Sequence, residues 1–260
     1  MSIRALFRFA PLVLALPFAI GAARAECDKT LRVASSDYPP YIYKDASGKW
    51  AGLDVELMQA IFKEADCSYR FAPLVAPKRM VEMVSSGQTD IMLAASDAAE
   101  RRRANVFGPV YRYETVSLVG LAGKVGAFRD VKDFHSLKAT GARLLLPNAG
   151  FFGDDYNRML PSLRAADQVV EFTYLDQGIR MLAAGRGALM MSDTGAIFAA
   201  AKRERVAIEA IPFTVTRAPI HMMFSRASVS EHDVKQLSEA TLRLEKRGVL
   251  QTIRSAYGLR

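Results

Sequence analysis

Histidine and cysteine are scarce in this chain, with 3 and 2 among its 260 residues. His135, His221 and His232 are scattered and lack metal-ligand spacing, so no metal is expected. No Ser-His-Asp, Cys-His or metal constellation argues for catalysis, and no cofactor is expected. Past the first residues, no apolar run is long enough to cross a bilayer, which takes about 20 residues in a helix. Internal repeats and low-complexity runs are also missing. Lys and Arg outnumber Asp and Glu by 35 to 27. They are spread rather than clustered, so no nucleic-acid partner is expected.

What is present begins with a targeting pattern. Arg4 and Arg8 precede an apolar run from Ala10 to Ile20, and Ala23-Arg24-Ala25 has the form of an A-x-A cleavage site. That order predicts a secretory signal peptide over 1–25. A transmembrane anchor is the alternative, and the run is short for it. Glu26 precedes Cys27 and no small-residue lipobox surrounds it, which argues against lipid attachment. Removing Arg4, Arg8 and Arg24 lowers the formal charge from +8 to +5. A modestly basic surface helps to attract anionic solutes.

The remaining length suits one large domain or two lobes of about 100 residues each. Strand and helix patterns alternate. Leu31–Ala34 is a β-prone run, stopped by Pro39 and Pro40. Gly52-Leu53-Asp54-Val55 opens a helix with Val55, Met58, Ile61 and Phe62 on one face, and Asp54 complements its dipole. Ser68–Phe71 reads as a strand, and Pro77 starts a helix that Gly87 ends. Further strands are expected at Val116–Leu121, Arg143–Leu146, Val169–Phe172, Ala188–Met191 and Ile220–Phe224. Lys124–Thr140 reads as polar and only partly helical, and Pro212–Pro219 as irregular. Helices are expected around Tyr156–Leu160, Ile179–Leu182 and Thr194–Lys202, and from Ser230 to the Gly248 stop. The class is α/β with parallel-type sheets. Cys27 precedes the first strand and Cys67 follows the first helix. In a β-α-β unit those points share an edge, so a disulfide is plausible in an oxidising compartment; two buried free thiols are the alternative.

The stretch Gly87–Tyr111 organises the rest. A helix ends in Gly87, Ile91–Leu93 forms a short apolar strand, and Ser96, Asp97, Glu100 and Arg101 follow, closed by Phe107 and Tyr111. A strand that delivers small polar residues and an arginine into a turn suits an anion. The spacing of Gly87, Asp90, Glu100, Arg101, Phe107 and Tyr111 resembles the bacterial periplasmic solute-binding proteins of family 3, the polar amino-acid type. The aromatic and proline pattern at Tyr38–Tyr41, the Gly-x-Asp-Val at Gly52 and the acid at Asp193 follow the same order. Ala94, Ser96 and Ala98 replace the family's Gly-x-Thr-x-Thr, and Phe151 replaces a hydroxyl residue after Gly150.

The resemblance implies a two-lobed, type II periplasmic binding fold with two hinge crossings. Lobe one would be 26–114 with 217–260, and lobe two 115–216. Arg101 and Ser96, beside Ala94, would take a ligand carboxylate, together with the Gly150 backbone. Tyr38 would pack on the ligand side chain, and Asp193 would take its ammonium or else cap the helix at Thr194. Phe151 would line the pocket or join the core. The implied role is capture of a small carboxylate-bearing solute, an amino acid above all, by a monomer in the periplasm that delivers it to a membrane ABC permease. Two alternatives accompany it. A cyclohexadienyl dehydratase-like enzyme is disfavoured by Asp193, where such enzymes carry a glutamate. An accessory or sensory binding module without a permease is the other.

Overall fold

The chain from 26 to 258 is described by a computed structural model; the expected signal peptide lies outside these residues. β1 (Leu31–Ser35), the short hairpin β2 (Tyr43–Lys44) and β3 (Trp50–Ala51), and α1 (Leu53–Ala65) come first. β4 (Tyr69–Leu74), α2 (Pro77–Ser85) and β5 (Ile91–Ser96) follow, then a 3-10 turn at Arg101–Arg103 and the long strand β6 (Asn105–Leu121). The middle of the chain forms α3 (Phe134–Ala139), β7 (Leu144–Pro147), α4 (Asp154–Ala165), β8 (Val169–Phe172), α5 (Leu175–Ala183), β9 (Leu189–Asp193) and α6 (Thr194–Glu204). A second long strand, β10 (Ile208–Ser225), precedes α7 (Glu231–Lys246) and α8 (Val249–Ala256).

Eight strands form one sheet in the order β4-β1-β5-β10-β6-β9-β7-β8. β4, β1 and β5 are parallel, as are β8, β7 and β9, which is what helix-crossover connections require. β6 and β10 run antiparallel along each other for nearly their whole length. β5 pairs β10 only from Ile220 onward, and β9 pairs β6 only from Val116 to Val119. Between those contacts, where Tyr113–Thr115 faces Arg217–Pro219, the sheet narrows to two strands.

The apolar faces form separate cores on either side of this waist. One gathers Leu31, Leu57, Ile61, Phe62, Ile91, Phe224, Leu237 and Leu250. The other side holds Val116, Leu118, Leu137, Leu144, Leu163, Leu189 and Met191 on one sheet face. Val119, Leu145, Ile179, Met190 and Ile197 fill the opposite face. α1 ends at Asp66, which adopts a left-handed φ of 56°. The next residue, Cys67, is bonded to Cys27 with Cα atoms 5.0 Å apart, so the two cysteines form a disulfide rather than free thiols.

The structure differs from the sequence reading over one stretch. Pro212–Pro219 is not irregular; it belongs to β10. Over this half β10 pairs only with β6, so its other edge is open and proline loses no ladder partner there. Asp54 stands in the first turn of α1, as expected, and is fully buried there: Arg112 donates to its two oxygens at 2.6 and 3.1 Å.

Candidate functional site

A cleft of 160 Å³ opens beside the waist and is lined by residues from both sides of it. Its first wall is built by β5 and the turn after it. The β5–β10 register slips between His221 and Met223, and at this bulge Ala94 takes a left-handed φ of 55°. The Ala94 N–H donates to the Tyr111 hydroxyl at 2.8 Å, which ties the bulge to β6. Ser96 ends β5, and its carbonyl accepts from Arg101 Nη1 at 3.1 Å. Asn105 donates to the Arg101 carbonyl at 2.9 Å, fixing the backbone of that turn.

Arg101 therefore reaches the cleft from a constrained turn. Burial lowers its affinity for the proton, and the charges of Glu100 and Glu114 offset this in part. Among the described residues no carboxylate is paired with it, whereas Arg102 holds Asp97 and Arg112 holds Asp54. The remaining guanidinium N–H groups suit a carboxylate fork.

Across the cleft stand Asn148, Gly150, Phe151, Phe152, Thr173 and Tyr174. Gly150 has φ 138°, and a Cβ there would lie 2.4 Å from the Phe152 ring, so this loop position accepts glycine alone. Tyr38 lines the same cleft and sits 5.6 Å from Tyr41, centroid to centroid. Six of the seven residues expected at a ligand are thus brought together: Tyr38, Ala94, Ser96, Arg101, Gly150 and Phe151. Phe151 belongs to the lining rather than to the buried core.

Asp193 is the exception. It is 2% exposed and lies outside the lining residues, although its neighbour Ser192 is among them. Asp193 Oδ1 accepts from the Ala196 N–H at 2.9 Å, capping α6, and from the Tyr41 hydroxyl at 2.6 Å. Burial raises its pKa, opposed by Arg112 and by the Tyr41 hydrogen bond. Tyr41 in turn stacks 4.1 Å from the Arg112 guanidinium. A side chain at Gly195 would come within 2.5 Å of the Tyr41 hydroxyl, so glycine permits this approach.

The buried acid that does line the cleft is Glu114, which the sequence reading left without a role ahead of the strand at Val116–Leu121. It is 9% exposed, and its Oε2 lies 4.0 Å from Arg112 Nη1. Burial pushes its carboxyl up to about 7; Asp193 and Asp54 push the same way, and Arg112 and Arg101 oppose. Ser36 was missed too. Its hydroxyl is buried at the lining and finds no hydrogen-bond partner among the described residues. A buried acid next to a buried arginine carries no sequence signature until the fold pairs them.

Outside the cleft, Asp28, His232 and Asp233 bring potential metal-ligand atoms within 4.8 Å of one another. The Asp28 N–H already donates to Asp233 Oδ1 at 2.8 Å.

Comparison with known proteins agrees with this architecture. A histidine kinase sensor domain with similarity to periplasmic binding proteins superposes with a TM-score of 0.73 at 22% identity, covering 88% of this chain and 95% of that one. An ancestral arginine-binding protein bound to glutamine gives 0.73 at 20% identity, covering 87% and 96%. The arginine-, lysine-, histidine-binding protein ArtJ from the thermophilic bacterium Geobacillus stearothermophilus gives 0.70 at 18%, covering 88% and 96%. At these identities the likeness establishes the fold, which is the type II periplasmic binding fold. No curated protein matches the chain. Residues 31–259 match the bacterial extracellular solute-binding proteins, family 3, and the chain belongs to that family.

Proposed function

We propose that this protein captures a carboxylate-bearing solute, an amino acid, in the cleft between two lobes, 26–114 with 217–260 and 115–216, and delivers it to a membrane ABC permease from the periplasm. The observation that carries the reading is Arg101: a cleft-lining guanidinium, tethered to the Ser96 carbonyl and, among the described residues, without a carboxylate partner. Ser96, the Ser36 hydroxyl and the Gly150 backbone surround the same space. Relatives that bind amino acids share the fold, which supports the solute class. A ligand touching both walls is held more tightly in the closed state than in the open one, and so shifts the population toward closure. The likeness to a kinase sensor domain favours, as a second reading, a sensory module that signals the same closure without transport.

The test is a thermal-shift screen of the mature protein against amino acids and small organic acids. A ligand present at about 100 times its Kd adds about 2.7 kcal/mol of stability. Arg101→Ala is expected to abolish the shift with every carboxylate while leaving the unliganded melting curve in place. Unchanged affinity in that variant removes the reading.

A further inference from the structure

We propose that Glu114, rather than Asp193, receives the ammonium of the ligand, that the ligand is an α-amino acid with an apolar side chain, and that its capture expels a proton from the cleft. This rests on the carboxylate reading of Arg101 given above.

Glu114 is the buried carboxylate that lines the cleft, on the same side of it as Arg101. An amino acid carries its two charges on adjacent carbons, so a cation and an anion exposed to one small volume match it. Asp193 has its Oδ1 occupied by Tyr41 and by the α6 cap, and is not at the lining. Met80, Val81, Met92, Phe152, Phe172 and Leu175 make up a large apolar part of the lining; its second acid, the exposed Asp37, already feels the charges of Arg203 and Asp176. A charged side chain laid against these apolar groups would lose its hydration without gaining a partner among them.

The proton follows from the surroundings of Glu114. Arg112 on its own strand lies 4.0 Å away, and Arg101 faces it from the 3-10 turn. Asp54 on α1 and Asp193 at the end of β9 oppose its ionisation, and Tyr38 lies close by. Its strand partner on β10 is Ala218, which brings no charge. With its carboxyl raised to about 7, Glu114 is about half protonated at neutral pH. An arriving ammonium stabilises the carboxylate, and the carboxyl proton leaves to solvent.

Calorimetric titration of the mature protein with L-leucine, 4-methylpentanoate and L-arginine, at pH 7 in two buffers of different ionisation enthalpy, tests this. L-leucine is expected to bind with proton release and 4-methylpentanoate without it. Glu114→Gln is expected to weaken L-leucine by about tenfold or more, to leave 4-methylpentanoate bound as tightly or more tightly and to abolish the proton release. Equal loss for both probes, no proton release with L-leucine in the native protein, or binding of 4-methylpentanoate alone overturns the role of Glu114 while leaving Arg101 in place. Tighter binding of L-arginine than of L-leucine overturns the apolar class. Absence of binding by all three removes the carboxylate reading and this inference with it.

Discussion

Ala94 holds a left-handed backbone at φ 55°, where a Cβ costs about 1–2 kcal/mol relative to glycine. Glycine would regain that strain and give up part of it to chain entropy. Ala94→Gly is therefore expected to raise the urea midpoint, by up to about 1 kcal/mol in stability. Glu114 behaves in the opposite sense to a paired surface acid. Its pKa is raised from 4.5 to about 7, so the native state binds more protons than the unfolded chain between those values. Its contribution is harmless below about pH 4.5 and becomes a growing cost as pH rises toward 7. Glu114→Gln is expected to flatten that fall, raising Tm at pH 8 more than at pH 5 in paired melting curves. Arg101 was legible in the sequence because a glycine stop, an apolar strand and small polar residues precede it within a few positions. Glu114 was not, since an acid on a strand reads as solvent-facing. Two of the charges that act on it, Asp54 and Asp193, are remote in sequence.

At the level of elements, Asp193 joins two parts of the molecule. As the cap of α6 it satisfies a helix N–H, and through Tyr41 it meets the loop after β1. Asp193→Ala is expected to cost about 1–2 kcal/mol in chemical denaturation, mainly through the lost cap. Asparagine also caps well, so Asp193→Asn should cost less than Asp193→Ala. Equal losses for the two would mean that the ionised carboxylate matters to Tyr41 and Arg112 more than the cap matters to α6. Most strands and helices could be read from periodicity and from the glycine and proline stops. β10 could not, because Pro212 and Pro219 mark a strand break unless one knows that one edge of that strand is open. The order of strands in a sheet is a long-range property, and local pattern does not encode it.

For the whole molecule, the Cys27–Cys67 disulfide closes a loop with a sequence separation of 40 and ties the segment before β1 to the end of α1. The loop-entropy estimate for such a length is about 4 kcal/mol. Reduction with dithiothreitol is expected to lower Tm, and Cys27→Ser with Cys67→Ser should reproduce the loss without reductant. An unchanged Tm would place the stabilisation elsewhere.

Where the sheet is only two strands wide it resists bending poorly, so the angle between its halves is set by whatever the halves touch. On the outer side of this waist Tyr113 is 46% exposed and the Arg217 guanidinium stacks 4.6 Å from its ring. A change of that angle would alter this small patch, which is not among the residues lining the cleft. It is accordingly a natural gauge: an environment-sensitive dye on Tyr113→Cys would translate occupancy into light, with the solute never meeting the label.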